Sequence, residues 1–188
     1  MKNKKIKISI IIIFVVLVVV LILAYRNNGG LSDKYDTFAT CLKDKGATFY
    51  GASWCPHCND QKDLFGSAKK SLPYVECSSD DESGQAQVCK DQKIESYPTW
   101  TFSNEIMLTE AEKPIVCEKQ PGKEGEDAFC EKISSNYGKV WLFSRKLIWS
   151  EIDPIQKGNE YTFSAGSQYR GKLSLEELAT QTGCVLPQ

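Results

Sequence analysis

The stretch Trp54-Cys55-Pro56-His57-Cys58 constrains this chain more than any other. It stands between an apolar run, Ala47-Thr48-Phe49-Tyr50-Gly51-Ala52, and a helix-patterned segment beginning near Asn59. Two cysteines at this spacing, where a strand gives way to a helix, read as a dithiol redox site. The first turn of a helix carries unpaired N–H groups and about half a positive charge, which favours a thiolate over a thiol. Cys55 is therefore the expected nucleophile, and Cys58, one turn further in, the partner that resolves a mixed disulfide on it. Pro56 suits the first helical turn, and protonated His57 would add positive charge beside the sulfur.

The surroundings place that dithiol in a compartment. Residues Ile8 to Tyr25 are uncharged and almost wholly aliphatic, and as a helix they would span about 27 Å, close to the hydrocarbon thickness of a bilayer. They read as one transmembrane anchor at 8–25. Lys2, Lys4, Lys5 and Lys7 precede it, which keeps residues 1–7 cytoplasmic and sends the rest of the chain outside. The rivals are a buried core helix, which would need a polar face, and a cleaved signal peptide, which would need a small-residue site that Ile22-Leu23-Ala24 does not supply. With those lysines and Arg26 set aside, 18 basic residues face 24 acidic ones, an acidic domain unsuited to nucleic acid. Eight cysteines in 188 residues fit an oxidising compartment.

Residues 26–31, with Asn27-Asn28-Gly29-Gly30, read as a tether to a domain at 32–188. Ser32 or Asp33 would cap a helix carrying Tyr35, Phe38, Cys41 and Leu42 that stops at Gly46. After the strand ending at Ala52, the motif helix would bury Leu64, Phe65 and Ala68. Tyr74 to Cys77 reads as a second strand, parallel to the first, and Gln85 to Gln92 as a helix with Val88 and Cys89 inward. Pro98 marks the entrance to a strand at Thr99 to Phe102, and Ser174-Leu175-Glu176-Glu177 is a capping box opening a last helix. Between about 104 and 158 the pattern changes. That stretch holds Cys117, Cys130, a helical pattern from Asp127 to Tyr137 and an apolar run, Val140 to Trp149. It reads as an insertion forming a small subdomain against the main core, with Trp141, Phe143 and Trp149 as core aromatics.

These pieces resemble the thioredoxin-like superfamily. Phe38 to Gly66, Tyr74-Val75-Glu76-Cys77, Tyr97-Pro98-Thr99-Trp100 and Ser174 to Leu178 are similar to the thioredoxin-like domain fused to bacterial homologues of vitamin K epoxide reductase. The resemblance covers about two-thirds of the chain and leaves out the insertion. It implies an α/β fold, a central mixed sheet flanked by helices, with Cys55 and Cys58 as the redox pair. It also implies that Pro98 is a cis-proline facing the pair and presenting backbone to a substrate peptide. A membrane quinone reductase of that type, which one span cannot provide, is then the expected redox partner, with thiols of exported proteins as substrates. No cofactor or metal is implied. Thioredoxins carry a buried acid six residues before the first cysteine; Phe49 stands there instead, so a slower or differently routed release of the Cys58 proton is expected.

The function expected is a membrane-anchored extracytoplasmic thiol–disulfide oxidoreductase that introduces disulfides. The same sulfurs run from the reduced form would make a reductase or isomerase, and a copper-handling module using the thiolates with His57 is the non-enzymatic alternative. A zinc site would want four ligands, and His57 is the sole histidine. Trp54 and Tyr97 are either filler or an apolar rim for extended substrates. Cys77 with Cys89, and Cys117 with Cys130, each flank a short segment that a disulfide would close. In a thioredoxin-like layout Cys41 and Cys184 lie at the end of the sheet opposite the active site and form the remaining candidate pair, or stay buried thiols; sequence alone does not set connectivity.

Overall fold

The structure, a computed structural model, describes residues 14–20, 34–79, 84–118, 128–133, 135–144 and 146–188. The expected anchor at 8–25 falls mostly outside them; residues 14–20 are helical and largely exposed. Among the described residues no helix is long and apolar enough to cross a membrane. The tether, Ser32 and Asp33 also lie outside.

Helix α1 (Asp36–Asp44) buries Phe38, Ala39 and Leu42 on one face, and Gly46 ends it at φ +72°. A side chain there would collide with Ser103, whose Oγ lies 2.4 Å from an ideal Cβ position. Strand β1 (Thr48–Gly51) follows, then the motif helix α2 (Pro56–Asp63), a 3₁₀ turn (Gly66–Ser71) and β2 (Tyr74–Glu76). β1 and β2 are parallel, Phe49 opposite Tyr74. Helix α3 (Gln87–Asp91) leads through a loop to β3 (Thr99–Thr101), antiparallel to β1. The chain then makes β4 (Ile106–Thr109), β5 (Ile115–Glu118), α4 (Ala128–Ile133), β6 (Lys139–Phe143), β7 (Lys146–Ser150), β8 (Ile155–Lys157), β9 (Glu160–Phe163), β10 (Gln168–Arg170) and α5 (Leu175–Thr182). Both halves of the Ser174 capping box are present, and Gly183 closes α5 in the left-handed conformation.

Seven strands form one mixed sheet in the order β2-β1-β3-β10-β7-β6-β5, and β4-β9-β8 form a second. Where a small subdomain against the main core was expected, β5, β6 and β7 of the 104–158 stretch extend the central sheet itself, and β4 and β8 pair with β9 in the second sheet. β10 pairs with β3 on one side and β7 on the other, which leaves no break at which the stretch could fold apart. Its apolar residues join the main core: Trp141, Phe143 and Ile148 belong to the same buried cluster as Phe49, Trp100 and Leu178. The second sheet covers them, Tyr161 and Phe163 meeting Phe143 edge-on at 4.8 and 6.0 Å between ring centroids.

Three local expectations are corrected. Leu64 is exposed, because α2 stops at Asp63 and the tighter 3₁₀ turn carries Phe65 and Ala68 inward instead. Val88 is also exposed; the Cys77–Cys89 disulfide and the Ala86 N–H bond to the Cys77 carbonyl turn Cys89 inward and its neighbour out. The helix read from Asp127 to Tyr137 ends by Ile133 among the described residues, and Asn136 instead donates through its backbone and side-chain nitrogens to Glu95. The other disulfides join Cys41 to Cys184 and Cys117 to Cys130.

Candidate active site

β1 is buried over most of its length and fixes the start of the short loop that turns into α2. Cys55 sits in extended conformation as the N-cap of α2, with Pro56 in its first turn, and the Cys55 sulfur accepts from the Cys58 N–H at 3.3 Å. One of the otherwise unpaired N–H groups of the first turn of α2 is thus directed at the Cys55 sulfur. Both cysteines are free thiols, the only two in the chain, since the other six are paired. Cys55 keeps 5% of its surface accessible and Cys58 none, so an incoming sulfur has access only to Cys55. Burial first, and then the hydrogen bond with Cys55, push the Cys58 thiol up to about 12, so it rests protonated.

The Tyr97–Pro98 peptide is cis and leads into β3, whose Thr99 pairs with Tyr50 of β1, beside the Gly51 end of that strand. Strand β10 anchors it: Gln168 donates to the Gln92 and Lys93 carbonyls at 2.9 and 3.3 Å, Arg170 pairs with Glu95 at 3.1 Å, and the Gly171 N–H donates to the Pro98 carbonyl at 2.8 Å. The Thr99 hydroxyl adds a bond to the Ser96 carbonyl at 2.7 Å. Trp54 is 67% exposed and meets Tyr97 edge-on at 5.9 Å. Gln85 donates to the Tyr97 hydroxyl. Trp54 and Tyr97 thus stand together as an aromatic rim beside the dithiol. His57 projects to solvent with Nδ1 3.5 Å from Asp60, a carboxylate also held by Lys172 at 3.0 Å. Both partners hold Asp60 below the usual carboxylate range, Lys172 more strongly. Phe49 lies between Trp100, stacked at 4.8 Å, and Tyr74 at 5.1 Å, an apolar sandwich where the acid of thioredoxins would stand. Among the described residues, no three His, Cys, Asp or Glu side chains converge as metal ligands.

Four residues of the site were not singled out from sequence. Gly51 ends β1 against the dithiol: an added Cβ would lie 2.9 Å from the Cys58 sulfur and 3.1 Å from Cε2 of Tyr74. Gly51→Ala is expected to displace Cys58 and slow disulfide exchange by about tenfold or more, since small misplacements of reacting groups cost up to about a hundredfold. Stopped-flow kinetics with a small disulfide, alongside an unchanged circular dichroism spectrum, check this.

Gln61 is fully buried in α2; its amide donates to the Leu173 carbonyl at 3.0 Å and accepts from the Leu173 N–H at 2.7 Å. It replaces a strand partner for the segment entering α5. Gln61→Leu would strand both backbone groups, costing about 2–4 kcal/mol, read as a fall in melting temperature of about 5–15 °C.

Tyr74 and Glu76 complete the set. The Tyr74 hydroxyl donates to Glu76 at 2.8 Å, and Glu76 also accepts from the Ser53 N–H at 3.0 Å and from the Ser78 N–H and hydroxyl. Burial pushes Glu76 upward, but these bonds outweigh it and hold the carboxyl below its usual range. The charged Glu76 thereby ties β2 to the loop that carries Trp54 and Cys55.

A dithiol at the start of a helix and a cis-proline at the start of a neighbouring strand, on a mixed sheet with helices packed on it, make a thioredoxin-like arrangement. No family model matches the chain. Over 75 residues it is 41% identical to the thiol-disulfide oxidoreductase LTO1 of Arabidopsis thaliana, a match covering 38% of this chain and 20% of that protein. The match supports a thioredoxin-like relationship, and it spans about a fifth of the relative's length.

Proposed function

We propose that this chain is a membrane-anchored, extracytoplasmic thiol–disulfide oxidoreductase that introduces disulfides into exported proteins through Cys55 and Cys58. One observation carries the reading: six cysteines are committed to disulfides, while the two left free sit at a helix start, and Trp54 beside them meets Tyr97, the residue ahead of a cis-proline. The relative's name, thiol-disulfide oxidoreductase, supports the same class of chemistry.

In the oxidised protein a substrate thiolate attacks the Cys55 sulfur, the Cys55–Cys58 bond breaks, and Cys58 leaves with the electron pair and takes a proton. A second substrate thiolate then attacks the substrate sulfur of the mixed disulfide, forming the substrate disulfide and releasing Cys55. The burial of Cys58 directs attack to Cys55. The Trp54–Tyr97 rim offers apolar surface to an unfolded segment. The basic residues before the apolar 8–25 stretch support an anchor with the domain outside. A separate membrane quinone reductase of the vitamin K epoxide reductase type is the reoxidant this reading calls for.

The test incubates the oxidised full-length chain in detergent with a reduced, unfolded multi-cysteine protein and counts substrate thiols lost. Stoichiometric loss is expected. Tight Cu(I) binding by the reduced chain with no thiol loss would replace this reading with the copper-handling one.

A further inference from the structure

We propose that Lys62 is the fixed counter-charge for the Cys58 thiolate, held in place by the Tyr74 ring and, through Tyr74, by Glu76. The inference rests on the dithiol reading above and names the groups that serve Cys58 where the buried acid of thioredoxins is replaced by Phe49.

The geometry begins with Gly51. Because it has no side chain, the Cys58 sulfur and the Tyr74 ring edge approach the same point of β1, 2.9 and 3.1 Å from where a Cβ would stand. Lys62 follows Cys58 by four residues on α2, so the two share a helix face. Its ammonium lies 3.5 Å from the centroid of the Tyr74 ring, a cation–π contact that fixes a side chain otherwise free to swing into water. Tyr74 is fixed in turn by its hydroxyl bond to Glu76. Burial first, then the Glu76 hydrogen bond and charge, raise the Tyr74 phenol far above its ordinary range. It stays neutral and acts as a platform. The titratable groups around Cys58 are Cys55 across the motif, Lys62 on the same helix, Tyr74 with Glu76 behind it on β2, and Tyr97 on the loop before Pro98. Of these Lys62 is the cation, and its charge opposes the rise that burial imposes on Cys58.

The step it assists is the one that puts charge on Cys58. When Cys58 resolves a mixed disulfide, its thiol loses a proton to solvent, its sulfur attacks Cys55, the Cys55–Cys58 bond forms and the departing thiolate carries off the electron pair. In the opposite direction Cys58 is itself the leaving thiolate. Lys62 exchanges no proton in either case; it lowers the energy of the anion.

Ellman's reagent on the reduced full-length chain reads this directly. Attack by Cys55 releases a first thionitrobenzoate, and resolution by Cys58 releases a second. Lys62→Gln is expected to move Cys58 titration upward by about one pH unit. Thiolate then falls tenfold, the more basic sulfur recovers part through its greater nucleophilicity, and the second release slows by about threefold at every pH below the titration. The first release stays unchanged and Lys62→Arg restores the second. Tyr74→Leu is expected to slow the second release as well, and adding Lys62→Gln to it should cost less than in the native background. A second release in Lys62→Gln equal to the native rate, or failure of Lys62→Arg to restore it, would overturn the counter-charge. A full Lys62→Gln effect persisting in Tyr74→Leu would overturn the role of the ring. Absence of any second release from the native chain would overturn the dithiol reading itself, and this inference with it.

Discussion

Cys55→Ser is expected to abolish disulfide exchange with protein and small-molecule partners, a loss of at least about 10³-fold, because the thiolate and its disulfide are the reacting species. Cys58→Ser should behave differently. Its Cys55 remains competent to attack or be captured, but nothing resolves the product, so mixed disulfides on Cys55 accumulate. The asymmetry follows from burial, Cys55 retaining an accessible edge and Cys58 none. Non-reducing electrophoresis after acid quenching checks it: higher-mass species should appear with Cys58→Ser and disappear in the double variant. Equal trapping by the two single variants would contradict the assignment of roles.

The largest effect on stability is expected from the Cys41–Cys184 disulfide. It closes a loop of 143 residues of sequence separation, tying α1 to the segment after α5. In the chain-entropy account a loop of about 100 residues contributes about 4.7 kcal/mol and longer loops slightly more. Replacing both cysteines by serine should therefore cost about 5 kcal/mol and lower the melting temperature by about 10–20 °C. The Cys77–Cys89 bridge, with a separation of 12, should cost about 3 kcal/mol on the same account. Calorimetry on the two double variants orders them; a smaller loss for Cys41/Cys184 than for Cys77/Cys89 would contradict the entropic account.

What the sequence made legible was local. The dithiol at a strand-to-helix junction, the capping box at Ser174 and the turn glycine at Gly46 are each written in a few consecutive residues, and the structure places them in those roles. What escaped depends on contacts between distant segments. Gln61 has the composition of a solvent-facing helical position, and only the approach of Leu173 makes it a buried double hydrogen bond. Gly51 looks like one more small residue in a strand until Cys58 and Tyr74 converge on it. The Lys62–Tyr74–Glu76 series spans two elements whose register is set by β1 pairing with β2. Likewise the 104–158 stretch reads as an insertion because its strands are far in sequence from β1. Yet β10, near the end of the chain, joins β3 to β7 and makes one sheet of both. Val88 and Leu64 depart from the helical pattern for a simpler reason. Each sits where a short helix or its end is reoriented by a disulfide or a 3₁₀ turn, and helical periodicity carries no record of either.

The route by which Cys58 gives up its proton also separates this site from ordinary thioredoxins. Phe49 is buried between Trp100 and Tyr74, so this position of β1 supplies a ring and no carboxylate. Charge enters instead from the β2 side, with Glu76 bound to the loop before Cys55 and Lys62 lying over the Tyr74 ring. That arrangement keeps the resolving thiol protonated at rest while providing a cation for the moment it ionises, as a site that must hold and release the same sulfur requires.

The measurement that bears most directly on the central claim is the reduction potential of the Cys55–Cys58 couple in the full-length chain, equilibrated against glutathione and read by thiol alkylation and mass. An oxidant for exported proteins predicts a value at or above about −200 mV, in the range of disulfide isomerases and periplasmic oxidases. A value near about −270 mV, that of thioredoxin, would contradict it and make the same two sulfurs a reductant.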